Sequence, residues 1–260
     1  MSAIVQAESA LPRLIAGLSE VFSSYASLKR KRAQCASLVI TDVLDQWLST
    51  KRKLAETNRD FSLLFKPFNL FPIGETSHSR VLGELLNPQG GHGQGNLFLV
   101  SFLNMLGVPE PNRGKWAVTV ERWHVDILLR RREPASVIII ENKSNHAADQ
   151  SNQLYRYWHQ QIHKRYPALD YSNPETKASF KVVYLPPDSS KKPAVDSLIR
   201  PRQWDEVDDL RNYPRLPLDV VDTICFCPGL TEWLARVSSS LPVTNVRLKV
   251  FLEFYAEIWR

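Results

Sequence analysis

Trp123-His124-Val125-Asp126-Ile127-Leu128-Leu129 and, beyond an Arg-rich turn, Val137-Ile138-Ile139-Ile140-Glu141-Asn142-Lys143 are the two stretches that decide how this chain folds. Both read as short apolar strands, the second strongly β-branched. Each carries charge where apolar residues would be expected to continue: Asp126 inside the first, Glu141 and Lys143 where the second runs out. Charge within or at the end of a buried strand is costly unless it is paired or bound to a metal. Side chains alternate along a strand, so Glu141 and Lys143 share one face and Asn142 takes the other. A hairpin centred on Glu133-Pro134 places Asp126 directly opposite Glu141. Two carboxylates so placed repel each other. A hard divalent cation between them, Mg²⁺ or Mn²⁺, reverses the sign. Lys143 would then stand where charge on a phosphate could be stabilised or an attacking water oriented. Spacing alone also permits a purely structural Asp/Glu/Lys network at a strand end.

Outward from this pair, Lys115–Arg122, Phe180–Leu185 and Thr223–Phe226 read as further strands, the second ended by Pro186-Pro187. Helices are expected over Thr76–Leu86, Asn96–Leu106, Asp149–Tyr166 with Asp149 as N-cap, Leu230–Val237 and Asn245–Arg260. Clustered strands followed by a crossover helix predict a mixed sheet with helices on both faces. Residues 1–66 read as a helical hairpin, from the spacing of Leu11, Leu14, Ile15 and Leu18 and of Leu38, Val39, Val43, Leu44 and Leu48. The basic runs Lys29–Arg32 and Lys51–Lys53 read as solvated helix faces. Lys66–Gly74 reads as a loop and residues 186–219 as long irregular connections. The organisation expected is an N-terminal helical extension at 1–66, a core at 67–240, and a C-terminal helix at 241–260 that packs on the core or a partner.

Composition narrows the class. The 260 residues are 43% hydrophobic and 23% charged, ordinary globular usage that excludes a disordered or fibrous chain. A net charge of +6 permits nucleic-acid binding without requiring it. Three cysteines, Cys35, Cys225 and Cys227, are too few for a disulfide framework and suit a reducing, cytoplasmic setting. The start has no basic n-region, so no secretory signal is expected, and no apolar run reaches the roughly 18 residues of a spanning helix. The Gly-rich stretch Gly90–Gly95 lacks the Gly-Lys-Ser/Thr ending of a phosphate-binding loop. Cys225-Phe226-Cys227 lacks a second ligand pair for zinc, His159 and His163 lack the glutamate of a zinc protease, and no serine lies in a nucleophile elbow.

An acidic residue on one strand, then Glu-x-Lys at the end of the next, with helices before and after, resembles the PD-(D/E)XK nuclease superfamily. The likeness extends beyond that short motif. Glu75-Thr76-Ser77-His78-Ser79, Leu85-Leu86-Asn87-Pro88, His92-Gly93 and Phe98-Leu99 resemble a prokaryotic branch of it. So do Val125-Asp126-Ile127, Ile140–Lys143, and Asp149-Gln150 followed by Gln153–Tyr157. The similarity spans roughly residues 60–235; Val125 stands where many members have Pro.

The resemblance implies an α/β fold, with a restriction-endonuclease-like core behind the helical extension. It implies Asp126, Glu141 and the main-chain carbonyl of Asn142 as ligands of Mg²⁺ or Mn²⁺, Glu75 as a further acidic ligand, and Lys143 as the catalytic lysine. Gln153 and Tyr157 match the Gln-x-x-x-Tyr helix element of RecB-like nucleases, and their i,i+4 spacing puts them on one helix face. Glu75 could instead favour a helix N-terminus, and Gln153 with Tyr157 could be an ordinary helix pair. His78 could touch phosphate or be locally hydrogen-bonded; Arg122, Arg130–Arg132 and Arg156 could track a phosphate backbone. The function so implied is metal-dependent hydrolysis of phosphodiester bonds, in DNA before RNA, as part of prokaryotic anti-phage defence and with a protein partner or homo-oligomer. The alternatives are a non-catalytic nucleic-acid-binding or assembly subunit of the same fold, and an RNA-directed nuclease.

Overall fold

The structure is a computed structural model that describes residues 2–61, 67–70, 73–204 and 213–259. The boundary expected at residue 66 lies outside them, as do parts of the loop at Lys66–Gly74 and of the irregular segment 186–219. The chain divides into two compact units, Met1–Phe65 and Lys66–Arg260.

The first unit is one helix, α1 (Ser2–Phe61), of 60 residues. The turn of a hairpin is absent. The segment between its two apolar stretches, Ala33-Gln34-Cys35-Ala36-Ser37, contains neither Gly nor Pro and offers nothing to break the helix.

The second unit is built on a five-stranded sheet in the order β1-β2-β3-β4-β5. Two helices, α2 (Glu75–Leu86) and α3 (Leu97–Met105), precede it. The strands β1 (Trp116–Arg122), β2 (Val125–Arg131) and β3 (Ser136–Asn142) form an antiparallel meander. Helix α4 (Gln153–Trp158), extended by a wide π turn through His163, and the short α5 (Pro174–Ser179) carry the chain over to β4 (Phe180–Leu185), parallel to β3. After the single-turn α6 (Val195–Leu198), β5 (Val221–Thr223) adds in parallel at the edge. Helices α7 (Thr231–Ser240) and α8 (Val246–Glu257) close the chain, α8 capped by Asn245, whose side chain accepts from the Leu248 N–H.

This is the mixed sheet with flanking helices of a restriction-endonuclease-like α/β fold. The apolar run of β3 is explained by its central place: all seven residues are buried, because both faces are covered. Ile138, Ile140, Ile127, Leu129, Val183 and Leu185 pack towards α2, α3, α7 and α8. Val137, Ile139, Leu128, Val182 and Tyr184 pack on the other face, with Leu154, Tyr157 and Trp158 of α4. The Tyr255 ring of α8 is buried in the first of these layers.

Arg131 closes the β2–β3 hairpin from inside. It is 1% exposed and donates to the carbonyls of Pro134 (2.9 Å), Arg113 (3.1 Å) and Pro109 (3.1 Å) and to Ser136 Oγ (2.9 Å). A residue that sequence reading offers to a phosphate backbone is thus consumed by main-chain carbonyls of the hairpin and of the loop before β1.

Candidate active site

The antiparallel turn between β2 and β3 brings the start of one strand against the end of the other. The register runs Arg131↔Ser136 to Ile127↔Ile140, and one step further it sets Asp126 opposite Glu141. At that step Asp126 Oδ2 accepts the Asn142 N–H at 2.7 Å, so a carboxylate replaces main chain as the partner of that amide. On its other side Asp126 faces β1, where the pairs Val120↔Ile127 and Arg122↔Val125 bracket Glu121 and Asp126.

Glu141 and Lys143 share a face, as alternation requires. Lys143 Nζ lies 2.9 Å from Glu141 Oε1, and the two side chains are 6% and 3% exposed. The same oxygen accepts from Gln153 Nε2 at 2.7 Å, and that amide also donates to the Tyr157 hydroxyl at 2.9 Å. Gln153 Oε1 takes the Gln150 N–H at 3.2 Å, which fixes which end of the amide points at the carboxylate. The i,i+4 pair on α4 is therefore tied to the end of β3.

Glu75 reaches the site by another route. Asn142, on the opposite face of β3, is buried and donates to the Glu75 carbonyl at 2.8 Å and to Ser79 Oγ at 3.0 Å, holding the first turn of α2 at the strand end. The Glu75 carboxylate accepts the Asn145 N–H at 3.2 Å. Helix α2 lies close on the sheet at Gly83, where an added Cβ would meet Val120 Cγ2 at 2.2 Å.

Glu75, Asp126, Glu141, Lys143, Gln153 and Tyr157 line one polar cleft of ≈ 720 Å³, together with Glu121, Trp123, His124, Gln150, Arg156 and Gln160. Burial raises the Glu141 carboxyl to about 8, reinforced by the Asp126 charge and opposed by Lys143. Burial likewise lifts Asp126 to about 6, against the pull of the Asn142 amide. Burial pulls Lys143 down, but the Glu141 charge and hydrogen bond outweigh it, and the ammonium is held above its ordinary value. Burial and the nearby Glu141 push the Tyr157 phenol up, so it serves as a neutral hydroxyl.

A hard cation fits this donor set in one specific respect. Glu141 Oε2 is buried and has no hydrogen-bond partner, beside a second carboxylate that repels it. Among the described residues no three His, Cys, Asp or Glu side chains group closely enough to hold an ion by themselves. Two carboxylates would need a main-chain carbonyl and water to complete a shell, which Mg²⁺ accepts readily.

Other residues singled out from sequence lie elsewhere. His78 is 1% exposed, packs against Phe226, Tyr255 and Trp259, and lies 3.1 Å from the Tyr255 hydroxyl; burial lowers it to about 4. It is a core histidine without access to phosphate. His92 is turned into its own loop, against the Asn87 carbonyl at 2.9 Å and the Gln94 N–H at 3.0 Å. Asp149 caps no helix, because α4 begins only at Gln153; its carboxylate accepts from the Tyr184 hydroxyl at 2.9 Å and the Ala194 N–H at 2.7 Å. His159 is a buried ring stacked on Tyr155 and Tyr213. Arg156 does line the cleft. Glu121, Trp123 and His124 escape sequence reading, which extends a strand through Trp123. The signal available is the β1–β2 register, which sets Glu121 beside Asp126 once the turn is placed at Trp123-His124.

A family model described as the PD-(D/E)XK nuclease superfamily matches residues 65–209. No curated protein and no solved structure matches the chain. The matched span carries Glu75, Asp126, Glu141, Lys143, Gln153 and Tyr157, the groups that converge on the cleft. The chain belongs to the PD-(D/E)XK nuclease superfamily.

Proposed function

We propose that this protein is a metal-dependent nuclease that hydrolyses phosphodiester bonds of DNA. The observation that carries the reading is the grouping of Asp126, Glu141 and Lys143 at the adjoining ends of β2 and β3, on the wall of an open polar cleft. Asp126, Glu141 and the Asn142 carbonyl would hold Mg²⁺ or Mn²⁺, with Glu75 as a nearby further carboxylate. When bound, such an ion lowers the pKa of a water and neutralises phosphate charge.

The chain's own groups do the rest. The Lys143 ammonium, kept protonated beside Glu141, stabilises the extra negative charge that a phosphate acquires on attack. Gln153 holds Glu141 Oε1 from the other side, leaving Oε2 directed to a ligand. Tyr157, through Gln153, fixes that amide in place. Arg156 lies where a non-scissile phosphate could be neutralised.

Among the described residues no helix is long and apolar enough to cross a membrane, and the three cysteines are unpaired, which suits work on DNA in a reducing cytoplasm. A place in prokaryotic anti-phage defence, with a protein partner or a second copy, is an extension supported by the resemblance alone. The test is cleavage of circular and linear DNA with and without Mn²⁺, the Lys143→Ala protein alongside. Equal cleavage by parent and variant would sink the assignment.

A further inference from the structure

The mouth of the cleft carries a residue that phosphate chemistry does not explain. Trp123 and His124 form the entire two-residue turn between β1 and β2, closed by the pair Arg122↔Val125. Both have left-handed backbone, φ 55° and 63°. Such a turn favours Asn and Gly, and a bulky ring there is unfavourable. The indole nevertheless stands 50% exposed on the wall that also holds Asp126 and Lys143. The Arg130 guanidinium lies over the ring, 5.4 Å from its centroid. Arg130 in turn lines a second cavity, of ≈ 730 Å³, whose wall includes Lys115, Arg132 and Arg165. An aromatic surface at the catalytic mouth thus adjoins, through one arginine, a concentration of positive charge.

We infer that Trp123 is a stacking platform for an unpaired base, and that the substrate is single-stranded nucleic acid whose backbone continues along the Arg130, Lys115, Arg132 and Arg165 cavity. This rests on the nuclease reading and adds the substrate class to it. The remaining polar wall, Gln150, Arg156 and Gln160 among it, suits phosphate and sugar and gives an apolar ligand no seat. A sugar-phosphate backbone gains little from an indole face, and a duplex keeps its base faces covered. A half-exposed ring beside a cationic groove matches an unstacked base, since every base has a π face.

The test uses the full chain with Lys143→Ala, which keeps substrate uncut, and adds Trp123→Phe or Trp123→Asn. Asn suits the left-handed turn, so it removes the ring while keeping the hairpin. Binding to a fluorescent single-stranded 16-mer and to the matching duplex is followed by anisotropy at several salt concentrations. The expected result is a single-strand preference of about tenfold or more, largely lost in Trp123→Asn and mostly regained in Trp123→Phe. The slope of affinity against salt should be the same with Trp123→Asn but shallower with Arg132→Ala and Arg165→Ala together. Unchanged single-strand binding by Trp123→Asn overturns the inference, as does a duplex bound as tightly as the single strand. Cleavage by the parent is read separately. A parent that cuts DNA but shows no dependence on Trp123 removes the platform and leaves the nuclease standing. A parent that binds single strands through Trp123 but cuts nothing does the reverse.

Discussion

Lys143 Nζ and Glu141 Oε1 stand 2.9 Å apart at the end of β3, both side chains nearly sealed from water. The lysine partly neutralises a carboxylate that burial and Asp126 would otherwise drive fully to its protonated form. Removing one partner of such a buried pair leaves the other uncompensated. Lys143→Ala should therefore lower cleavage by about 10²–10³-fold, the loss typical of a single charge-stabilising group. Titration of Glu141 should also move further up, which pH-dependent infrared difference spectra of the carboxyl band would read.

The two carboxylates make stability depend on pH with a definite sign. Asp126 rises from 3.8 to about 6 and Glu141 from 4.5 to about 8, both because burial disfavours the charged form. The folded state thus binds more protons than the unfolded state across roughly pH 4–8, and stability falls as pH rises through that window. Lys143 shifts upward, and its favourable contribution is lost only in a more alkaline range. Denaturant titrations in chelator should show lower stability at pH 8 than at pH 6. Asp126→Asn, which can still accept the Asn142 N–H, should abolish cleavage yet gain about 1–3 kcal/mol over the parent at pH 8.

A divalent cation should reverse this cost. Binding to the ionised carboxylates releases protons, so Mn²⁺ should raise Tm more at pH 8 than at pH 6. At a hundred times Kd, the gain of roughly 2.7 kcal/mol corresponds to about 5–10 °C for a unit of this size. Asp126→Asn should remove most of the shift, and chelator should restore the metal-free Tm.

Gly83 is required by close approach. Its missing Cβ would lie 2.2 Å from Val120 Cγ2, so Gly83→Ala must displace the Val120 side chain or push α2 off β1. The expected cost is about 1–3 kcal/mol, with cleavage reduced because the start of α2 carries Glu75. Gly83→Ala with Val120→Ala should lose less than the two single changes together, and a double-mutant cycle would measure that coupling.

Arg131 and Arg132 are neighbours with opposite stakes. Arg131→Met should cost about 1–3 kcal/mol, because the carbonyls of Pro109 and Arg113 lose this donor while Pro134 keeps Ser136 Oγ. The exposed Arg132→Ala should stay within about 0.5 kcal/mol, as urea titrations would show.

What the sequence by itself determined is local. The hairpin about Glu133-Pro134 fixes its own register through a short turn and strict alternation, so the placing of Asp126 opposite Glu141 and of Lys143 beside it is legible in one dimension. The β-branched run of β3 likewise announces a strand covered on both faces. Tertiary structure decided what depends on distant surfaces meeting. His78 and Glu75 stand three residues apart on α2, yet one is buried against α8 and the other faces the cleft, because the helix is clamped between Val120 and Asn142. Asp149 abandons its expected cap for Tyr184 and Ala194, residues 35 and 45 positions away. Glu121, Trp123 and His124 reach the site only once the β1–β2 turn is set on two left-handed residues that carry no turn signature. Alternation along a strand is fixed by covalent geometry, whereas packing between elements distant in sequence is settled only when the whole core closes.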